Sequence, residues 1–358
     1  MISERAETVL NILVNEYINT AIPVASEEIA RLSPVKVSPA TVRNAMSQLT
    51  EEGYISRPHI SAGAVPLDRG YRHYVESLKE PPQLPAGLRE EIYQLFNRAD
   101  PDVGVRSQRC AAVLSRLAMN LAIVTVPWAR SPRLKGIQLV YLEEFLALLI
   151  IVLQEARLLR RLLPLEEATN QDLLNQVANK LNEYLSGLNY AEIEANQTEL
   201  APLEERVKRE TVTILREAET YTPEHYIDGL RWLLNQPEFS RGDRAKELVE
   251  LVEERVLLES VLSEMPPSGG MTVYIGGENP EATLRPFGVI LCQYGSSLQA
   301  SGTICLIGPT RMSYAQSISG VSFLSSCMSQ LAQEVYGGNV QGQSHPHPNP
   351  LPKGEGDR

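Results

Sequence analysis

The chain has little cysteine, no surplus of positive charge and no long apolar run. Its four cysteines, Cys110, Cys292, Cys305 and Cys327, lie far apart and form no Cys-x-x-Cys pair. That spacing gives no support to a zinc site or a disulfide framework and predicts reduced, buried thiols. Lysine and arginine total 33 against 44 acidic residues, a net charge of −11, which argues against a surface coated in cations for unspecific nucleic-acid binding. The longest apolar stretch, 145–153, is too short to span a bilayer and suits a buried strand. No basic-then-apolar segment opens the chain, so a cytoplasmic protein is expected. Catalytic signatures are missing too: there is no P-loop, no dinucleotide glycine fingerprint, no metalloprotease helix and no nucleophile elbow. His73 and His225 have no nucleophile near them in sequence, so neither an enzyme nor a cofactor is expected.

What is present is an ordinary globular composition, 43% hydrophobic and 22% charged, over 358 residues, long enough for two or three domains. The net charge conceals a gradient. Residues 1–30 sum to −4 and residues 31–79 to +3, leaving −10 for the rest. The basic stretch coincides with the best-marked helix in the chain, within Ser38 to Gly53. Ser38 is placed to cap it, Pro39 suits its first turn, and Gly53 supplies the left-handed residue that stops it. Val42, Ala45, Met46 and Leu49 form one apolar stripe. Ala40, Arg43, Asn44 and Ser47 fall on the opposite side, and a guanidinium and a carboxamide are the groups best shaped to read guanine and adenine edges.

The neighbouring segments turn this helix into part of a motif. A first helix is expected from 3 to 18, a second from 27 to 32 capped by Ser26, and the marked helix follows after Pro34. Two helices joined by a short turn, the second polar on its outer side, form a helix-turn-helix. Residues 54–67 then read as a hairpin around Ser61-Ala62-Gly63, the wing of a winged helix, and Asp68 is expected to cap a further helix. On this reading Arg43 and Asn44 contact base edges with Ser47 in support, while Lys36, Ser38, Thr41, Arg57, His59, Arg69 and Arg72 hold phosphates. Plainer roles compete. Arg43 could pair with Glu51 or Glu52, His59 could only shape the hairpin, and Arg69 and Arg72 could simply be solvated.

Beyond the proline-rich link Glu80-Pro81-Pro82-Gln83-Leu84-Pro85, helices are expected at 88–98 and 106–120 and a strand at 121–127. A three-strand antiparallel set follows over 137–163, then helices at 170–186, 201–219, 224–234 and 241–265. Strands at 271–276, 287–294 and 300–307 lead to a final helix from 313 to 336. The class is α+β, with one domain interrupted by an insertion. The expected layout is a winged helix over 1–79, a linker over 80–86, a split domain over 87–130 and 238–337, an insertion over 131–237 and a disordered tail over 338–358. Gly308-Pro309-Thr310-Arg311-Met312 is first a turn, with an effector seat or a dimer contact through Arg311 as the functional alternative.

Several of these segments together resemble the heat-inducible transcription repressor family HrcA. They include Val37-Ser38-Pro39-Ala40-Thr41-Val42-Arg43-Asn44-Ala45-Met46, Pro58-His59-Ile60-Ser61-Ala62-Gly63 and Gly70-Tyr71-Arg72-His73-Tyr74-Val75. Leu181-Asn182-Glu183, Gly302-Thr303-Ile304 and Ile307-Gly308-Pro309-Thr310-Arg311-Met312-Ser313-Tyr314 extend the likeness, which runs from about residue 3 to 337. The resemblance implies a winged-helix domain, a GAF-like domain and a dimerising domain inserted in the latter. It implies a homodimer on an inverted-repeat DNA operator ahead of chaperone operons, kept active by the GroE chaperonin. The family usually has Gly at Ala25, Arg at Ala64 and Thr at Leu67. Losing a wing cation at 64 implies one phosphate contact fewer, about 1 kcal/mol and one unit of salt slope. Two other readings stay open: a winged-helix regulator governed by a small molecule, and a protein-interaction module that binds no DNA.

Overall fold

The protein is described by a computed structural model. It covers residues 2–34, 36–57, 63–78, 83–97, 102–129, 131–154, 157–219, 224–239, 270–296 and 300–336. The expected helix at 241–265 and tail at 338–358 lie outside these residues, as do His59 and residues 80–82 of the linker.

The first unit is helical. Helix α1 (Glu4–Thr20) starts at Ser3, whose hydroxyl accepts the Ala6 N–H, and buries Ala6, Val9, Leu10, Leu13 and Val14. Helix α2 (Ser26–Leu32) packs beside α3 (Pro39–Glu51), and β1 (Ile55–Ser56) pairs antiparallel with β2 (Val65–Pro66) to form the base of the hairpin. Helix α4 (Asp68–Ser77) completes the unit. Two expected caps are corrected. Ser26 is the first residue of α2 and gives its hydroxyl hydrogen to Glu27 at 3.1 Å, with Ala25 at the cap position. Asp68 likewise is the first residue of α4, and its carboxylate accepts the N–H of Gly277 at 2.8 Å. Neither side chain accepts a first-turn backbone N–H of its own helix: the Ser26 hydroxyl is turned to the Glu27 carboxylate and the Asp68 carboxylate to a distant loop.

Helices α5 (Ala86–Asn97) and α6 (Val103–Ala118) lead into β3 (Leu121–Thr125). Strands β4 (Leu134–Glu143), β5 (Leu146–Leu153) and β6 (Leu158–Pro164) form a separate antiparallel sheet in that order. Helices α7 (Gln171–Leu185), α8 (Tyr190–Ala195) and α9 (Pro202–Glu219) follow. Alternation decides which side of β5 is inside: Ala147, Leu149, Ile151 and Leu153 are buried in one cluster with Leu174, Leu181, Val207 and Leu215 of α7 and α9. Asn182 ties α7 to β4 by accepting the Ile137 N–H at 2.6 Å and donating to its carbonyl at 2.9 Å.

The chain then returns to β3. Residues 224–234, expected to be helical, are instead β7 (His225–Asp228) and the short α10 (Leu230–Leu234). Strand β7 pairs antiparallel with β3, so these residues complete the larger sheet and not the inserted one. Strands β8 (Met271–Ile275), β9 (Phe287–Gly295) and β10 (Ser301–Pro309) give the order β7-β3-β10-β9-β8, antiparallel throughout, and α11 (Tyr314–Tyr336) packs on this sheet. One face of this sheet packs Ala122, Val124, Ile290, Ile304 and Leu306 in a cluster with α6 and α11. The other is filled by Leu121, Ile123, Val289, Leu291 and Ile307 with Leu233, Phe239, Leu284 and Phe287.

Candidate nucleic-acid interface

Helix α3 is built as its sequence dictates. Ser38 accepts the Thr41 N–H at 3.1 Å, Pro39 stands in the first turn, and Gly53 takes φ +74 just past the end. Val42, Ala45, Met46 and Leu49 face the core beside Leu10 and Leu13 of α1. Arg43, Asn44 and Ser47 stay exposed on the other side. Arg43 reaches neither Glu51 nor Glu52; its guanidinium lies 3.6 Å from the Glu27 carboxylate of α2. Both partners are more than half exposed, so the pair contributes little to stability and leaves the guanidinium available to another anion or acceptor. Ser47 donates back to the Arg43 carbonyl at 3.0 Å. Asn44 makes no side-chain hydrogen bond among the described residues, so both ends of its carboxamide point to solvent. Thr41 shares a hydrogen bond with the Ser38 hydroxyl at 2.9 Å, and Lys36 is exposed ahead of the cap.

The wing base stands beside this face. Arg57, directly after β1, extends one guanidinium nitrogen to 3.5 Å from the Arg43 carbonyl, which places its charge next to the recognition helix. On the return strand, Ala64 exchanges two backbone hydrogen bonds of 2.9 Å with Val24 and is fully buried. Position 64 in this chain therefore packs inward.

Two expected phosphate holders are placed elsewhere. Arg69 donates to the Glu52 carbonyl at 2.6 Å and stacks over the Tyr54 ring at 4.4 Å, closing the C-terminal end of α3. Arg72 turns away from α3 altogether. Its guanidinium takes both oxygens of Glu278, Nε to Oε1 at 2.8 Å, and donates to the Val273 carbonyl at 2.6 Å. The structure thus places Lys36, Ser38, Thr41, Arg43, Asn44, Ser47 and Arg57 on or beside α3 and gives Arg69 and Arg72 partners within the protein. Sequence reasoning missed Glu27, Tyr54 and Glu278. Glu27 stands in α2, the helix before α3, and was legible as a near neighbour, whereas nothing local joins Arg72 to a residue 206 positions away. Arg311 also has a different job from either one considered: it grips Glu238, Gln236 and the Ile18 carbonyl.

Among the described residues no helix is long and apolar enough to cross a membrane, and no group of His, Cys, Asp and Glu side chains is placed to hold a metal ion.

Comparison with known proteins gives one answer. Residues 107–318 match the family described as HrcA protein C terminal domain. The chain is 38% identical over 338 residues to a heat-inducible transcription repressor HrcA from Dehalococcoides mccartyi, covering 94% of this chain and 98% of that one. It is 33% identical to the repressor of the same name from Roseiflexus castenholzii, over 96% of this chain and 98% of the relative. A crystal structure titled only as a hypothetical protein superposes with TM-score 0.62 at 23% identity, over 94% of this chain and all of the other, and shares the fold. With a recognition helix whose polar side is open and relatives that agree across nearly its whole length, the chain belongs to the HrcA family of heat-inducible transcription repressors.

Proposed function

We propose that the chain represses as a homodimer seated on an inverted-repeat DNA operator ahead of chaperone genes. Arg43 and Asn44 read base edges, Ser47 steadies the Arg43 backbone, and Lys36 and Arg57 contact phosphates with the Ser38 and Thr41 hydroxyls beside them. The observation that carries this is the exposure of Arg43 and Asn44 on a helix whose opposite stripe is fully packed, with the Arg57 guanidinium beside them.

The dimer reading has its own support. Among the described residues the side of the β4-β5-β6 sheet away from α7 is largely apolar and uncovered. Leu148 stands between Val140 and Leu162, and Val152 lies opposite Leu158. Leu158 and Leu162 are 66% and 57% exposed. A flat apolar sheet face of this kind fits a second copy of itself about a two-fold axis. The GroE-type chaperonin is the third partner proposed, as the factor that keeps the repressor competent. A small-molecule effector has less support, because the sheet face beside Phe239 and Phe287 is filled by side chains whose rings stack at 5.3 Å.

A nuclease footprint across the organism's chaperone operons tests the operator, with a protected inverted repeat expected. Adding purified chaperonin is expected to raise the active fraction of repressor. No protection at any chaperone gene sinks the operator proposal, and indifference to chaperonin sinks that partner alone.

A further inference from the structure

The winged helix is bolted to the GAF-like domain at two separate places, and neither uses the open side of α3. At the first, Asp68 and Arg72 of α4 meet the turn after β8. Asp68 accepts the Gly277 N–H at 2.8 Å, while Arg72 holds the Glu278 carboxylate and the Val273 carbonyl. The approach is so close that a Cβ on Gly276, which has φ +56, would sit 2.2 Å from the Asp68 carboxylate. At the second, Arg311 of the β10–α11 turn donates to the Ile18 carbonyl of α1 at 3.2 Å and to Gln236 at 2.8 Å, and pairs with Glu238. Between the two lie Tyr71 and Tyr314, both almost wholly buried, with ring centroids 6.1 Å apart.

One such contact would act as a pivot. The Arg72–Glu278 pair on α4 and the Arg311 hydrogen bond to the Ile18 carbonyl of α1, set apart on different helices with packed rings between them, fix a rigid body against rotation. A dimer that reads an inverted repeat needs this stiffness, because each base pair added between half-sites turns one of them by about 35° around the duplex and moves it about 3.4 Å along it. If the winged helices swung on their linkers, the dimer would accept many spacings. We propose that the Arg72–Glu278 pair and the Arg311–Ile18 carbonyl contact, the latter with its guanidinium held in place by Glu238, fix the angle between the two recognition helices and so set which half-site spacing the repressor accepts. This rests on the dimeric operator reading above. In it Arg72, Glu278, Arg311 and Glu238 are positioning residues: they touch no DNA and act through the orientation of α3.

The test uses the full-length protein with Glu278→Lys and Arg311→Gln, made separately. Each is titrated against a single half-site duplex and against operators whose spacer is shortened or lengthened by a base pair or two. Wild type is expected to lose about tenfold or more in affinity for the altered spacers. Both variants are expected to keep the wild-type half-site affinity while binding altered spacers nearly as well as the parent operator, the readout that a merely structural role would not move. Variants that retain the wild-type spacing profile overturn the proposal. So does a fall in half-site affinity in both variants, which would assign these pairs to the integrity of the winged helix itself. A wild type that binds an inverted repeat no better than a half-site sinks the dimeric operator reading, and the clamp proposal with it.

Discussion

Arg43 and Lys36 stand close together in sequence and are assigned different work, and mutation separates the two. Arg43→Ala is expected to weaken operator binding by about 1–3 kcal/mol and to relax base preference at one position of the half-site. Lys36→Ala is expected to weaken all sequences alike and to lower the slope of log affinity against log salt by about 1. Binding isotherms over a salt series, on operator and on scrambled duplex, measure both; equal losses on both duplexes for Arg43→Ala would remove it from base readout. The positions of these side chains were legible in the sequence because a helix's caps and stripe fix its outer side. The duties of Arg69 and Arg72 were not. A guanidinium in the first turns of a helix reads the same whether it meets a phosphate, the Glu52 carbonyl or the Glu278 carboxylate, and only the tertiary fold brings the last of these within reach.

Strand β5 shows at the scale of an element how far pattern reaches. Its residues alternate between a buried row and a half-exposed apolar row, and Leu149, in the buried row, is fully covered. Leu149→Ala is expected to cost about 2–5 kcal/mol in urea unfolding, through lost transfer energy and the cavity left behind. The short segment 224–234 was misread for the opposite reason. Tyr226, Leu230 and Leu233 recur at helical spacing, yet pairing of Ile227 with Ile123 and of Tyr226 with Val124 makes the first half a strand. The partner that decides this lies a hundred residues upstream. The inserted helices carry a pH dependence of their own. Glu192 accepts the Asn189 N–H and pairs with Arg133, which together hold its carboxyl below the ordinary range. For Glu204, burial pushes upward, but Lys180 and the Ala201 N–H outweigh it. A carboxyl lowered in the folded state stabilises above its unfolded value and loses that contribution as pH falls through the folded one. Acid titration should therefore destabilise this unit progressively below about pH 4, and Glu204→Gln should flatten the slope of stability against pH. An unchanged slope would show that the carboxylate carries none of it.

For the molecule as a whole, the apolar sheet face of the insertion makes the strongest demand. Ile150, half-buried on that open face between Gln138 and Arg160, is a site where one charge would oppose association without touching the packed side. Ile150→Glu is expected to shift sedimentation from dimer to monomer, to spare the melting of each unit, and to leave only weak half-site binding. A dimer that survives this change would place the interface elsewhere. The link over 80–85 and the runs of strands and helices punctuate the sequence, but the expected insertion over 131–237 took in β7, which pairs with β3 in the larger sheet. The way the winged helix is fastened to the rest could not be read there, since residues 18, 68, 72, 238, 277, 278 and 311 share no local pattern.

The path of the chain through the insertion has one more consequence. Strand β3 ends at Thr125 and β7 begins at His225, and these two residues are paired neighbours in the larger sheet, with the Val126 N–H bonded to the Glu224 carbonyl at 2.7 Å just beyond them. Topologically the two strands are a hairpin whose turn has been swapped for a folded body of its own. Departure and return points a few ångströms apart mean that such a cassette can be gained, lost or exchanged in the gene without disturbing a single rung of the host ladder. On the dimer proposed above, the way copies associate can then change over evolutionary time independently of the scaffold that carries the DNA reader.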